Sequence, residues 1–202
     1  MDRGKVYLRR HIMLSGEYAS LVLSGVKRAT VRLGVVVPRY KEVIIHSGGR
    51  PIAKARIVDV TYKRVAELTD EDARLDGFSS VAELLEALGR AYGRNIDENS
   101  VVSVIKFEVV QRFDELRGDD VYYGLAPSDI ARIGLRYLRS ELDEEEVRVL
   151  ELLGKGLSIR EAANVLYGSP HRRLRVRRAV RKVLRELVRR GIIKPPGVGR
   201  DQ

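Results

Sequence analysis

The chain has 202 residues, 44% of them hydrophobic, with three histidines and no cysteine; disulfides and thiolate metal sites are excluded, and His11, His46 and His171 make a poor ligand set, so neither metal nor cofactor is expected. Residues 1–18 are interrupted by Arg3, Lys5, Arg9, Arg10 and Glu17, which leaves no apolar leader core, and no later run approaches the ~18 apolar residues of a membrane helix, so a cytoplasmic protein without a membrane partner is expected. The net charge of +10 is localised: residues 168–194 carry eleven basic side chains against Glu186 alone, and the remainder balances 27 basic against 27 acidic residues.

In chain order, residues 5–9 start as a strand, and residues 16–24 place Tyr18, Leu21 and Val22 at helical spacing before Gly25. Residues 29–33 form a strand. Residues 43–46, the stop Ser47-Gly48-Gly49 and the β-branched run 52–62 predict a hairpin. Thr69 caps a short helix that begins with Asp70, Glu71 and Asp72 and reaches about Leu75. Ser79 or Ser80 caps a second, with Val81, Leu84, Leu85 and Leu88 on one face, ending near Gly93. Residues 101–113 alternate as a closing strand.

From Pro127 onward every periodic segment predicts helix. Ser128 is expected to cap the first, which carries Ile130, Ile133, Leu135 and Leu138. Asp143 caps the next, with Glu144, Glu145 and Glu146 in its first turn as solvated acids and Val147, Leu150 and Leu153 inward. Ser158 and Glu161 form a capping box for a third, followed by Ala162, Ala163, Val165 and Leu166. Gly168-Ser169-Pro170 breaks the chain, and residues 172–190 form one long helix ending at Gly191. Arg117-Gly118-Asp119-Asp120 interrupts the apolar pattern between the two halves. The expected organisation is a domain over residues 1–113, a linker over 114–126 and a helical domain over 127–202. Tyr122 and Tyr123 in that linker either stack on bases or, the favoured expectation, pack the domains together.

In the last helix Val176, Val180, Val183, Leu184 and Leu187 make an apolar stripe. Arg172, Arg173, Arg175, Arg178, Arg181, Lys182, Arg185 and Arg189 supply the basic side, which is the expected nucleic-acid contact. Ordinary surfaces intersperse signs, so a bias this strong favours a polyanionic partner over a plain solvated face; an acidic protein is the alternative. Guanidinium groups hold phosphates without reading sequence, so the bias speaks for affinity, not specificity. A short helix, a tight turn and a basic second helix match the helix-turn-helix plan. The arrangement also resembles a winged-helix module, with Ile192-Ile193-Lys194 where a wing strand would begin before Pro195-Pro196-Gly197.

Near the N-terminus, residues 25–32 fit Gly-x-Lys-x-x-Thr-x-Arg, a pattern with a chance frequency of ~10⁻³ in a chain of this length. Gly25 permits a positive-φ turn, Thr30 and Arg32 project from one face of a strand, and Lys27 reaches the same mouth, so these four residues are the expected ligand-binding set. On this motif, the stretch around Thr69 to Phe78 and the strand around Val104-Ile105-Lys106-Phe107, the chain resembles the ASCH (activating signal cointegrator homology) family, whose barrel is similar to the PUA RNA-binding fold. The resemblance spans about residues 4–113. It implies an α+β protein: a small PUA-like β-barrel with inserted helices, here followed by an all-α helix-turn-helix module.

Family members bind RNA, and some bacterial members are amidohydrolases of acetylated cytidine or ribonucleases. In the amidohydrolases a Lys, a Thr and a downstream Glu act together, which this resemblance carries to Lys27 as base, Thr30 as nucleophile and Asp76, one methylene shorter, as the acid. The expected function is nucleic-acid binding, RNA ahead of DNA, in transcription or RNA handling; the alternative is an amidohydrolase or ribonuclease using Lys27, Thr30 and Asp76. The 29 Arg, 9 Lys and only five Asn plus Gln give an ion-pair-rich, amide-poor usage that points to a thermophile.

Overall fold

The computed structural model describes residues 4–93, 95–116 and 120–195. Contacts divide the chain into two compact units, one through Arg112 and one from Phe113. The breaks anticipated at Arg117, Gly118 and Asp119 and at Pro196 and Gly197 lie outside the described residues.

The first unit is a curled half-barrel of five strands in the order β2(His11–Leu14), β5(Glu42–Ser47), β6(Arg50–Arg64), β7(Val101–Arg112), β3(Ala29–Leu33). A separate parallel pair joins β1(Lys5–Leu8) to β4(Val35–Pro38). The hairpin expected at Ser47-Gly48-Gly49 is present, with β6 extended to fifteen residues. It pairs with β7 antiparallel, and register shifts between Lys54 and Ala55 and between Ile57 and Asp59 bend the long ribbon into the curl. Strands β2 and β4 escaped the sequence. Each has four residues and a parallel partner, β5 or β1, far along the chain. Ser103, fully buried in β7, accepts from the Val36 amide and donates to the Gly34 carbonyl, tying β4 to the sheet.

Two apolar clusters follow. Helix α1(Ala19–Leu23) contributes Val22 to a cluster with Ile12, Val43, Ile45, Ala55 and Phe107. Helices α2(Asp70–Asp76) and α3(Val81–Tyr92) cover the sheet through Ala73, Leu84 and Leu88 against Ala29, Val31, Val102 and Val104. Their caps are those the sequence offered. Thr69 forms a capping box with Asp72, Ser80 rather than Ser79 accepts from Glu83, and Gly93 ends α3 in the left-handed region.

Among its described residues the second unit holds four α-helices: α4(Pro127–Tyr137), α5(Glu144–Lys155), α6(Ile159–Tyr167) and α7(Arg173–Arg189). Ser128 does not cap α4. Ala126 stands at the N-cap without a side-chain bond, and Pro127 begins the helix, its fixed φ being suited to the first position. Asp143 with Glu146 and Ser158 with Glu161 form the expected capping boxes. Leu150 and Leu153 on α5 and Ala162 and Ala163 on α6 are buried as expected, but Val149 is buried in place of Val147, which is half-buried, and Val165 is exposed. All five members of the α7 stripe are buried. Ile192–Lys194 form no strand: the Ile192 and Ile193 amides bond to the Leu187 carbonyl, and Ile193 turns inward at 2% exposure, so the expected wing strand does not start there. Part of the expected linker is structured, since Asp120 closes a turn over residues 120–124 and Leu125 is buried. No described helix is long and apolar enough to cross a membrane.

Candidate functional site

Gly25, at φ 77°, ends α1 and turns the chain into the motif. The Lys27 amide bonds to the Leu21 carbonyl, the Arg28 amide to Leu75, and the Phe107 amide to the Arg28 carbonyl, which fixes the loop between α1, α2 and β7. Strand β3 then pairs Thr30 with Ile105 and Arg32 with Ser103. Across from it, α2 ends at Asp76 because Gly77 takes φ 93°. Its backbone favours glycine, and a Cβ at Gly77 would sit 3.2 Å from Leu21 Cδ1 and press on that side chain.

The result is a buried cluster: Lys27, Thr30 and Asp76 are at most 4% exposed. Lys27 Nζ donates to the Asp76 carbonyl at 2.6 Å and meets Asp76 Oδ1 in an ion pair, while Asp76 Oδ2 accepts from the Val31 amide at 2.8 Å. The ammonium also lies 4.6 Å from the Tyr18 ring centroid and 5.9 Å from that of Phe78, the two rings being edge-on to one another. Burial, with the Arg32 guanidinium adding to it, pulls Lys27 down to about 7. Burial and the neighbouring Glu17 push the Tyr18 phenol up. Arg32 is anchored through Nη2 to the Met13 carbonyl at 2.7 Å.

These groups open into a cavity of about 480 Å³. Of the expected ligand set, Lys27, Thr30 and Arg32 line it together with Asp76, whereas Gly25 does not and acts through the backbone turn. Lys27 lies buried within it, not reaching over its mouth. Glu17 also lines the cavity, as do Arg90 and Tyr92 from the end of α3. Tyr18 was legible only as part of an apolar helix face, and Glu17 and Arg90 carry no spacing signal at all.

The model of the ASCH domain matches residues 6–111, just over half of the chain. The chain belongs to the ASCH domain family. ASCH domains are generally associated with RNA binding and processing. Among solved structures, an ASCH domain from Lactobacillus crispatus JV V101 is 20% identical, covers 50% of this chain and 80% of that one, and superposes with a TM-score of 0.42. Protein EF3133 from Enterococcus faecalis V583, of family DUF984, is 20% identical over 50% of this chain and 76% of that one, at a TM-score of 0.40. No curated protein matches the chain.

Outside the ASCH domain, α7 presents its basic side to solvent. Ion pairs occupy part of that side: Lys182 bonds to Glu146 at 2.6 Å, Arg189 to Glu186 at 2.5 Å, and Arg190 to both Glu186 and Glu141. Arg189 and Arg190 pull the Glu186 carboxyl down to about 2. Arg175 is 3.9 Å from Glu145 and lies over the Tyr167 ring. Glu146 and Glu145, expected as solvated acids, are thus engaged by Lys182 and by the Tyr167 hydroxyl, respectively. Arg172, Arg173, Arg178, Arg181 and Arg185 are exposed, and among the described residues none of them is in an ion pair. His46, fully buried in β5, bonds to His11 at 2.8 Å and is not one of the residues lining the cavity.

Proposed function

We propose that this protein binds nucleic acid, RNA ahead of DNA, as a regulator of transcription or of RNA handling, with the barrel cavity holding a nucleotide or RNA segment and the exposed arginines of α7 gripping phosphates. The observation that carries the pocket role is the buried Lys27 between the Asp76 carboxylate and the Tyr18 and Phe78 rings, in a cavity rimmed by further cations. Its volume falls within the ~300–1,000 Å³ of small-ligand sites, and aromatic faces with a few placed polar groups suit a base with its attached phosphate.

A second function, amidohydrolysis of acetylated cytidine or RNA cleavage, is favoured by one observation: a lysine pulled down to about 7 is a competent base at neutral pH. Against it, Lys27 is already held by two oxygens of Asp76, and Asp76 Oδ2 is taken up by the Val31 amide, so neither group is left idle for proton transfer. Binding is therefore preferred.

The deciding experiment compares wild type, Thr30→Ala and Lys27→Ala with acetylated cytidine nucleosides and short RNA, following binding by calorimetry and product by mass spectrometry. A binding pocket gives no product and a Thr30→Ala affinity loss of roughly tenfold at most, the effect of one neutral hydrogen bond. Turnover by wild type that vanishes in both variants would establish the enzyme instead.

A further inference from the structure

The turn over residues 120–124 faces α7 across a groove of about 450 Å³ lined by Val121, Tyr123, Arg178, Arg181, Leu184 and Arg185, with Val188 at its end. The turn is rigidly built. Asp120 Oδ1 accepts from the Tyr122 amide at 2.7 Å and the Gly124 amide at 3.2 Å, and the Tyr123 amide bonds to the Asp120 carbonyl at 2.9 Å. Leu125, at 3% exposure, anchors its far end. Tyr123 itself has φ 56° and is the one described non-glycine residue with positive φ. Such a backbone is disfavoured for a residue with a Cβ by ~1 kcal/mol or more and persists where the surroundings impose it, often at binding sites.

The two walls differ in chemistry. One carries an aromatic ring that is only half-buried. The other carries Arg178, Arg181 and Arg185, spaced on a single helix face and exposed, above a floor of Leu184. The acid of the turn, Asp120, accepts from two backbone amides and, among the described residues, forms an ion pair with none of the three arginines. A flat π face opposite a row of cations fits a base joined to phosphates. It fits an acidic peptide less well, since carboxylates offer the ring nothing to stack on.

We propose that this groove is a base-stacking site for single-stranded nucleic acid, in which Tyr123 stacks on one unpaired base while Arg178, Arg181 and Arg185 hold the flanking phosphates. The inference rests on the nucleic-acid function proposed for α7 and adds to it the form of the ligand. Double helices keep their bases stacked on one another, so a Tyr123 platform selects unpaired strands.

The test uses the full chain and fluorescence anisotropy with three labelled probes of equal length: a single-stranded RNA, its duplex, and an oligomer of abasic sites with the same phosphate charge. Wild type is expected to bind the single strand most tightly. Tyr123→Ala should weaken that binding about tenfold or more, Tyr123→Phe should stay within about twofold, and neither should change binding of the abasic oligomer. Arg178→Gln/Arg181→Gln/Arg185→Gln should lower the log–log salt slope by about 2–3 on all probes. Equal losses by Tyr123→Ala on the base-bearing and abasic strands would overturn the stacking role, as would competition by polyglutamate as effective as by RNA. Wild type without salt-dependent binding to any probe would instead remove the nucleic-acid function of α7, and the site with it. Circular dichroism of each variant separates lost stacking from lost folding.

Discussion

Lys27 and Asp76, 49 positions apart, close a buried ion pair in the barrel cavity, with the same ammonium bonded to the Asp76 main-chain carbonyl. The pair joins the motif loop to the last turn of α2, so the cavity exists only where both elements are in register. Breaking one partner leaves an uncompensated buried charge, which costs ~3–5 kcal/mol, whereas neutralising both is far milder. Lys27→Met alone is accordingly expected to destabilise more than Lys27→Met/Asp76→Asn, in urea unfolding at pH 6, where the lysine carries its charge.

The pH dependence has a definite sign. Lys27 titrates near 10.5 when unfolded and at about 7 when folded, so between those values the unfolded chain holds more protons. Its contribution to stability is present above 10.5 and is lost as pH falls through the window to about 7. The urea midpoint of wild type should therefore gain between pH 7 and pH 10 relative to the Lys27→Met/Asp76→Asn variant. Parallel profiles for the two proteins would contradict the depressed lysine.

Gly77 ends α2 beside the Lys27–Asp76 pair. Gly77→Ala places a Cβ at φ 93° and 3.2 Å from Leu21 Cδ1, and is expected to cost about 1–3 kcal/mol. Because the strain falls beside Lys27 and Asp76, ligand binding in the cavity should suffer as well. Denaturant unfolding alongside calorimetric titration checks both.

The basic residues of α7 should not contribute equally. Arg178, Arg181 and Arg185 are exposed and outside any described ion pair, whereas Lys182 and Arg189 are matched by Glu146 and Glu186. Each of the three substituted by Gln is expected to reduce the salt slope of nucleic-acid binding by about 0.7–0.9, and Lys182→Gln or Arg189→Gln by less. Anisotropy titrations across a salt series measure this directly.

Within the helical unit, Gly134 of α4 meets α7 so closely that a methyl group there would overlap Val183 Cγ1. Gly134→Ala should destabilise by about 1–3 kcal/mol through overpacking, and Val183→Ala in the same chain should recover part of that loss. Thermal unfolding of the two single variants and the double variant gives the coupling.

What the sequence determined by itself is what short-range chemistry controls. The capping boxes of Asp143 with Glu146 and Ser158 with Glu161 act within one helical turn, and their residues are sufficient to form them. The strand carrying Thr30 and Arg32, the turn at Gly25 and the buried stripe of α7 likewise follow from spacings of a few residues. The concentration of positive charge needs no fold to be seen. Only the tertiary structure decided the partners. Strands β2 and β4 owe their existence to parallel neighbours that no local pattern announces. Glu17, in the turn that leads into α1, and Arg90, in the last turn of α3, line one cavity, and Lys182 loses its free charge to Glu146 on α5. Tyr123 faces the arginines because Asp120 holds the turn that presents it. Contacts across tens of residues require the whole chain to be ordered first, and that ordering is set by the burial of both units' cores, not by any one segment.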